Sequence, residues 1–379
     1  MRGLWAALAV VTISATAEAQ DTTGNQPQRV PEVARTGPLS GYMDFHFNKL
    51  DHQDGVLDFH RFVLLFNHEF TRRIRFVGEL ELEHALVEGL EAAGELELEQ
   101  AYLDFLITRA FNVRAGMVLV PVGIINERHE PPVYHGVERP LVDTVIVPST
   151  WFEPGAGVHG EVGQGWRYRA YVLAPLDALE FSADEGIRGG RQKGSQARAR
   201  NAAVSGRVEY LGLPDVSLGA SFWTGRGNAL ESTLETPVRV LEADARYSGD
   251  RLELRAQVAD ITISRADLVN EALTRLTGVD PNVARGLRGF YGEAAYRFWA
   301  AGPARDLVGF IRYERVNTQH RMPDGWLPLR EFDRNAWVFG ATYFPDADVA
   351  VKVDYVRLRN QSGLIRSPSS FNVGLGWWF

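Results

Sequence analysis

The sequence predicts an all-β protein, a closed antiparallel barrel of sixteen strands that crosses a membrane. Three observations lead to this prediction. Sixteen segments alternate between apolar and polar residues, which is the period of a β-strand. Long and short connections alternate between these segments. Beyond the amino-terminal segment, no apolar run approaches the roughly 20 residues of a membrane-spanning helix, so a closed barrel is the remaining way to cross a bilayer.

The amino-terminal residues have the pattern of a secretory signal peptide. Arg2 supplies a positive start, a short apolar run follows, and Ala-Glu-Ala at 17–19 is a cleavage site of the A-x-A type. Residues 20–38 are polar and contain two prolines. We therefore predict a signal peptide at 1–19, a flexible lead-in at 20–38 and a transmembrane barrel at 39–379.

The strands are read from their period of two. Between residues 73 and 83, for example, Ile74, Phe76, Leu80 and Leu82 fall on one face, and arginines and glutamates fall on the other. Phase changes near Arg61 and near Gln100 predict either bulges or misplaced strand boundaries. The sixteen predicted strands are 39–48, 56–69, 73–83, 95–108, 112–119, 155–162, 166–175, 202–211, 216–224, 237–247, 251–263, 287–299, 305–316, 334–344, 348–359 and 370–379.

The connections indicate which kind of barrel this is. Every second connection is short and carries turn residues, as in Gly-Leu-Pro-Asp at 212–215, whereas the others are predicted to be long, beginning with 49–55 and 84–94. Short turns at one end and long loops at the other are typical of outer-membrane barrels. Alternation alone does not decide which face meets lipid, because a soluble sandwich would alternate too. The prediction is a barrel in the outer membrane of a Gram-negative-type bacterium, in contact with membrane lipid.

The last strand carries an uninterrupted apolar stripe. A strand that closes a barrel on the first strand must be ordered along its whole length, and its lipid-facing residues must be apolar. This pattern resembles the carboxy-terminal signature of bacterial outer-membrane barrels, which implies recognition by the barrel-assembly machinery. The predicted assembly signal consists of Phe371, Val373, Leu375, Trp377 and Phe379.

The longest connection, 120–154, is the candidate functional loop. A barrel of sixteen strands leaves a water-filled interior, and six prolines would stiffen this segment. It resembles the third loop of trimeric sixteen-stranded porins, which implies a constriction of the pore and a homotrimer. The alternative is a solvated surface loop. Charges that would set ion preference are Glu127, Arg128, His129, Glu130, Glu138 and Arg139.

Residues 98–123, LEQAYLDFLITRAFNVRAGMVLVPVG, carry a further resemblance. Their AYLD strand, followed by a strand and a P-V-G turn, resembles the phosphate-selective porin O and P family. The resemblance implies passive diffusion of small ions or hydrophilic solutes, including anions such as phosphate. That family uses many lysines, whereas this chain has three, Lys49, Lys193 and Lys352, beside 37 arginines.

Charged residues on the polar faces are predicted to form the lumen wall. Acidic and basic groups would lie on different arcs and set a field across the pore; paired charges that merely solvate the lumen are the alternative. The wall residues are Arg73, Arg75, Glu79, Glu81, Glu83, Glu97, Arg114, Arg167, Arg169, Arg207, Arg255, Arg297 and Arg312.

Other chemistry has little support in the sequence. The net charge of −8 argues against a nucleic-acid partner. No H-E-x-x-H or G-x-S-x-G motif is present, so we predict no metal, no cofactor and no enzyme. Two alternatives act through the external loops: a lipid hydrolase with a Ser and His at the rim, or a surface-binding adhesin. The basic segment 187–200 would contact lipopolysaccharide or be solvated.

Overall fold

The computed structural model describes residues 38–87, 94–227, 235–301 and 305–379. The predicted signal peptide and residues 20–37 of the predicted lead-in lie outside the described residues. Sixteen antiparallel strands form one closed barrel, each paired with its sequence neighbours. The strands are β1 Leu39–Leu50, β2 Gly55–Thr71, β3 Ile74–Glu83, β4 Leu96–Leu106, β5 Asn112–Leu119, β6 Phe152–Val162, β7 Trp166–Leu173, β8 Ala203–Leu213, β9 Val216–Gly227, β10 Thr236–Ser248, β11 Leu252–Ile263, β12 Gly286–Ala301, β13 Arg305–Arg321, β14 Asp333–Asp346, β15 Val349–Asn360 and β16 Ser370–Trp378.

The barrel closes where β1 pairs with β16. The ladder runs from Leu50 opposite Ser370 to Tyr42 opposite Trp378. Gly41 and Phe379 then exchange two backbone hydrogen bonds, at 3.0 and 2.9 Å. A Cβ on Gly41 would meet the Phe379 ring at 2.5 Å, so this position needs glycine. The prediction of sixteen strands in a closed antiparallel barrel is confirmed.

Both predicted phase changes coincide with irregular pairing. The β1–β2 register shifts between Asp44 and His46, opposite the two residues that precede Arg61. In the β3–β4 ladder Glu79 pairs with Gln100 and Leu80 pairs with Leu98, so Glu99 is the extra residue of a bulge. The bulge places Glu99 and Gln100, two consecutive residues, in buried positions. A bulge changes the direction in which a side chain points, and here it adds a carboxylate to the interior.

The outer surface is apolar and the interior is polar. Phe222 and Trp337 expose 41% of their surface on the outside, whereas Arg207 and Glu242 inside expose 2% and 5%. This is the reverse of a soluble protein and is what a barrel in lipid requires. The face that the alternation left undecided is therefore settled: the apolar stripes face the membrane.

The connections follow the predicted order with two corrections. The first one, predicted to be long at 49–55, has only four residues, 51–54, because β1 and β2 extend further than predicted. The loop after β11 contains a helix that the sequence analysis did not predict, α1, Ala266–Thr277. Gly278 ends this helix with φ of 75°, a backbone conformation that suits glycine. Among the described residues, no helix is long and apolar enough to cross a membrane.

Candidate functional site

The segment between β5 and β6 lies inside the barrel. We call residues 120–151 the inner loop; the predicted loop ran to 154, but β6 begins at Phe152. Most of its apolar side chains are fully buried, including Val122, Val142 and Ile146. Its short helical turn Pro131–Val133 packs on β1, β15 and β16, and its second turn Val142–Ile146 packs on β11, β12 and β13. The loop therefore reaches across the lumen to the wall on the other side.

The base of the inner loop is closed by one side chain. Asn126 donates from Nδ2 to the carbonyl oxygens of Val120 and Trp151, at 2.8 Å each. Its Oδ1 accepts the Trp151 backbone N–H at 2.8 Å. A loop buried inside a barrel must have its backbone groups paired, and Asn126 does this at the point where the two ends of the loop meet.

The far part of the inner loop is held by polar side chains of the wall. Lys352 on β15 donates to the carbonyls of Tyr134 and Gly136, at 2.7 and 2.8 Å. Asp354, two residues along the same strand, accepts the Val137 N–H at 2.6 Å. These bonds use charged wall residues as partners for loop backbone, and charge-assisted bonds of this kind are the stronger ones.

A second loop packs on the inner loop. In the segment 174–202, Arg191 donates to the carbonyls of Ser149 and Thr150 at 2.8 and 2.9 Å, and Arg188 donates to that of Thr144 at 3.2 Å. Burial and the neighbouring Arg188 lower the pKa of Arg191 to about 10. These two arginines of the basic segment 187–200 thus point toward the inner loop rather than toward solvent or a lipid headgroup.

A cavity of about 520 Å³ with a charged lining lies below the inner loop, at the end of the barrel with the short turns. We call it the arginine vestibule, because arginine is its commonest lining residue. Its charged and imidazole lining residues are Arg75, Arg109, Arg114, Arg128, Arg167, Arg169, His129, His159, Glu79, Glu127, Glu130 and Glu161.

Carboxylates in the wall of the vestibule are shared between arginines. Asp104 Oδ2 lies 3.1 Å from Arg75 Nη2 and 3.0 Å from Arg114 Nη2, and its Oδ1 lies 2.6 Å from His159 Nε2. Arg114 also covers the ring of Tyr102, with its guanidinium carbon 4.1 Å from the ring centre. One carboxylate that pairs with two arginines neutralises only one of their two positive charges.

The same sharing occurs elsewhere in the vestibule. Glu161 pairs with both Arg109 and Arg167, at 3.2 and 3.1 Å. Arg169, conversely, pairs with two carboxylates, Glu127 at 2.8 Å and Glu209 of β8 at 2.8 Å. Among the residues the structure describes, the Arg128 guanidinium has no carboxylate oxygen within 4.0 Å. The lining of the vestibule therefore holds six arginines against four glutamates, in a chain that is acidic overall.

The other predicted wall residues lie on the interior side in ion pairs, with one exception. Arg73 lies in the exposed turn between β2 and β3, so its assignment to the wall is wrong. Arg73 lies two residues before Arg75 and would share its face of a strand, but the strand begins one residue after Arg73, at Ile74. The pairs are Arg61 with Glu81 and Glu83, Lys193 with Glu97, Arg207 with Glu209, Glu242 and Asp244, Arg255 with Glu253 and Glu293, Arg297 with Asp306, and Arg312 with Glu293 and Glu314.

The charged residues of the inner loop divide into two groups. Glu127, Arg128, His129 and Glu130 line the vestibule. Glu138 and Arg139 lie elsewhere: Glu138 accepts from Asn48 at 2.8 Å, and Arg139 donates to the His129 carbonyl at 3.1 Å within the loop.

Several inner-loop groups have displaced pKa values. Burial alone would lower the pKa of His129, but the negative charges of Glu99 and Glu79 raise it to about 10. Burial opposes ionisation of Glu138, yet bonding to His46 lowers its pKa to about 2. Burial raises the pKa of Asp143 to about 7.

Several interior residues were not singled out from the sequence. Asp104, His159 and Lys352 all contribute to the vestibule or to the docking of the inner loop. Their alternation with apolar neighbours placed them on the polar face, but many polar-face residues share that pattern. Nothing in the sequence shows that Asp104 lies between two arginines from different strands.

These features define a sixteen-stranded outer-membrane β-barrel of the porin-like kind, with an apolar exterior, a charged interior and a loop folded into the lumen. The chain belongs to the same family as a protein from Aquifex aeolicus (strain VF5), with 32% identity over 344 residues that cover 88% of this chain and 78% of the relative. That relative is described as an uncharacterized protein. No family model matches the chain.

Solved outer-membrane proteins share the fold at low sequence identity. The channel DcaP of Acinetobacter baumannii aligns with a TM-score of 0.61 and 12% identity, over 90% of this chain and 96% of that one. An anion-selective porin from Comamonas acidovorans aligns with a TM-score of 0.57 and 11% identity, over 90% of this chain and 98% of that one. OmpT of Vibrio cholerae, in a trimer form, aligns with a TM-score of 0.56 and 10% identity, over 90% of this chain and 98% of that one.

Proposed function

We propose that this protein is a porin, a water-filled outer-membrane channel for passive diffusion of small ions or hydrophilic solutes, and that it is not an enzyme. The observation that carries the proposal is the arginine vestibule below the inner loop: a cavity with a charged lining inside a barrel of channel size. In this proposal the inner loop is the constriction, and the short turns face the periplasm.

We further propose that the channel prefers anions, phosphate among them. Six arginines and two histidines line the vestibule beside four glutamates, and fixed positive charge in a confined space raises the local concentration of anions. A planar guanidinium presents paired N–H donors that match phosphate or carboxylate oxygens. The similarity in fold to an anion-selective porin is in keeping with this proposal.

Planar-bilayer recording of the refolded chain tests the channel. Stepwise conductance is expected, with a reversal potential in a potassium chloride gradient that indicates chloride preference. Phosphate that reduces the chloride current at low concentration would support the narrower specificity. A folded, heat-modifiable barrel that produces no steps would overturn the porin proposal and leave the external loops, as a hydrolase or a binding surface, to be tested next.

Reversing the charge of Arg128 should shift the reversal potential toward cation preference. Arg128 lines the vestibule without an ion pair within 4.0 Å in the described part of the chain, so Arg128→Glu changes the field there at small cost to packing. The control is Arg359→Glu, the same change on an exposed β15 residue. Equal shifts in the two variants would contradict a selective role for the vestibule.

We also propose that the apolar stripe of β16 is read by the assembly machinery. Phe379 is half exposed on the outside, and its ring stacks on Phe62 at 6.3 Å between centres. Phe379→Ser should lower the amount of folded barrel in the outer-membrane fraction. Phe371→Ser, at the other end of the stripe, removes similar apolar area. If both variants assemble equally well, Phe379 has no special role.

A homotrimer is the proposed assembly, since one similar solved barrel is described in a trimer form. Sedimentation of the detergent-solubilised protein, with the detergent contribution subtracted, measures the mass. A mass of one chain under conditions that preserve conductance would contradict the trimer and leave the channel proposal intact.

A further inference from the structure

We propose that the inner loop is held to the barrel wall by a divalent transition-metal ion of the Zn²⁺ type, bound by Glu79, Glu99 and His129. These residues come from β3, β4 and the inner loop. One ligand atom from each lies within 4.8 Å of the other two. The proposal does not depend on whether the barrel conducts.

The distances fit the edges of a coordination shell. His129 Nε2 lies 3.0 Å from Glu99 Oε2 and 3.7 Å from Glu79 Oε1. Bonds of about 2.0–2.2 Å to zinc place neighbouring ligand atoms about 3 to 3.6 Å apart. One imidazole and two carboxylates form a mixed nitrogen and oxygen set, which suits zinc better than magnesium or calcium.

The ligand atoms are buried, and those of Glu99 and His129 lack hydrogen bonds, whereas the Glu79 oxygens accept from Tyr42 and Gln100. Glu99 and Glu79 expose 0% and 2% of their surface, and His129 exposes 2%. Both carboxylate oxygens of Glu99 and Nε2 of His129 have no hydrogen-bond partner among the described residues, despite the short His129–Glu99 contact. Buried polar atoms are nearly always paired, so a contact of 3.0 Å without hydrogen-bond geometry points to a missing ion.

The histidine is oriented as a metal ligand. Its Nδ1 lies 3.0 Å from the Asn126 carbonyl oxygen, which can only accept, so Nδ1 carries a hydrogen. In the neutral ring this leaves a lone pair on Nε2, directed at the two carboxylates. Metal-bound histidines characteristically donate their other N–H to a carbonyl or carboxylate, and Asn126 is also the residue that closes the base of the loop.

The local charge also calls for a cation. Arg61 pairs with Glu81 at 3.3 Å, which leaves Glu79, Glu99 and Glu130 around one imidazole. Glu130 is partly buried, and its buried Oε2 lacks a partner in the described structure. Several buried carboxylates near one another are costly unless they are protonated or bind a cation. A divalent ion would neutralise Glu79 and Glu99 together.

Two further features favour a built site. The β3–β4 bulge places two consecutive polar residues, Glu99 and Gln100, in the interior, and bulges commonly redirect side chains at functional positions. Glu79 and His129 also line the arginine vestibule, which supplies a path by which an ion could reach the site.

A second group in the barrel provides a matched comparison. Asp44, His46 and His60 also bring ligand atoms within 4.8 Å of one another. There the two ring nitrogens of His46 are already occupied, with Asp44 at 3.0 Å and Glu138 at 3.2 Å. Because this histidine is paired on both sides, we expect zinc at the Glu99 site and not at this one.

The test is zinc stoichiometry in the full-length refolded protein. After chelator treatment and dialysis against Zn²⁺ with excess Mg²⁺ and Ca²⁺, wild type should retain one zinc per chain. Glu99→Gln and His129→Gln should lose it, because removing a ligand costs more than the roughly 10–100-fold that removing an outer-shell partner costs. His159→Gln, in the same vestibule, and His60→Gln, in the second group, should retain it.

X-ray absorption at the zinc edge of the wild-type protein provides a measurement that does not depend on variants folding. It should show one nitrogen from imidazole and at least two oxygens near 2.0–2.2 Å. A wild-type protein without zinc, zinc kept by folded Glu99→Gln, or zinc lost in His60→Gln would each overturn the assignment. A metal-free protein would mean that the cluster is an ion pair with protonated carboxyl groups.

Discussion

Replacing residues 128–148 by a short glycine-serine linker is expected to raise the single-channel conductance several-fold. The removed part of the inner loop is almost entirely buried and reaches wall strands on both sides of the lumen. Once it is absent, the wall of sixteen strands encloses open water, and a barrel of that size forms a wide channel. The linker retains Asn126 and Trp151, whose hydrogen bonds close the base of the loop.

The variant should fold, because the strand ladders on both sides of the loop stay intact. Anion preference should weaken too, since a wider lumen screens the arginines of the vestibule with more water and salt. A matched control shortens the loop after β15 by removing residues 362–367, which lie at the rim and are largely exposed. Its conductance should equal that of wild type. If the inner-loop variant also conducts like wild type, the inner loop does not limit the current.

The barrel itself could be predicted from the sequence because the alternation that defines each strand is visible within a few neighbouring residues. A strand between lipid and lumen alternates at every position, so β5 was located at 112–119 without error. Strand ends were less exact, because β1 and β2 continue into what looked like a loop at 49–55. Arg73 shows the same limit of sequence analysis. The alternation of residues assigns each one to a face of the strand, but it does not show where strand pairing ends.

The interior could not be predicted to the same depth because its contacts join distant parts of the chain. Lys352 bonds to Tyr134 across 218 positions, and nothing near either residue signals this partner. Burial of Arg188 and Arg191 depends on carbonyl groups of the inner loop about 40 positions away. Helix α1 was overlooked although six of its twelve residues are apolar, because the segment was assigned to a loop between two alternating strands.

The bulge at Glu99 lies between these two cases. The sequence located the phase change near Gln100, since two adjacent polar residues broke the alternation. It could not show that Glu99 would meet His129, because this contact depends on the path of the inner loop through the lumen. Local pattern therefore finds the irregularity, and tertiary structure gives it a chemical role.

Replacing Arg312 by methionine is expected to destabilise the folded barrel by about 3–5 kcal/mol, the cost of leaving buried charges unpaired. Arg312 exposes 2% of its surface and lies 2.7 Å from Glu314 and 3.1 Å from Glu293, which expose 1% and 6%. Methionine retains most of the side-chain length but supplies no positive charge. Equilibrium unfolding in guanidinium, followed by tryptophan fluorescence, measures the change in the free energy of unfolding.

Two comparisons isolate the charge from the packing. Adding Glu293→Gln and Glu314→Gln to the Arg312→Met variant should restore much of the loss, because no buried charge is then left unpaired. Arg288→Met removes an ion pair with Asp260 that is half exposed at the rim, and should cost less than about 1 kcal/mol. If Arg312→Met costs no more than Arg288→Met, the interior around Arg312 is hydrated well enough to solvate both glutamates. The paired charges of that arc would then line open water, and the inner loop would obstruct less of the lumen than its burial indicates.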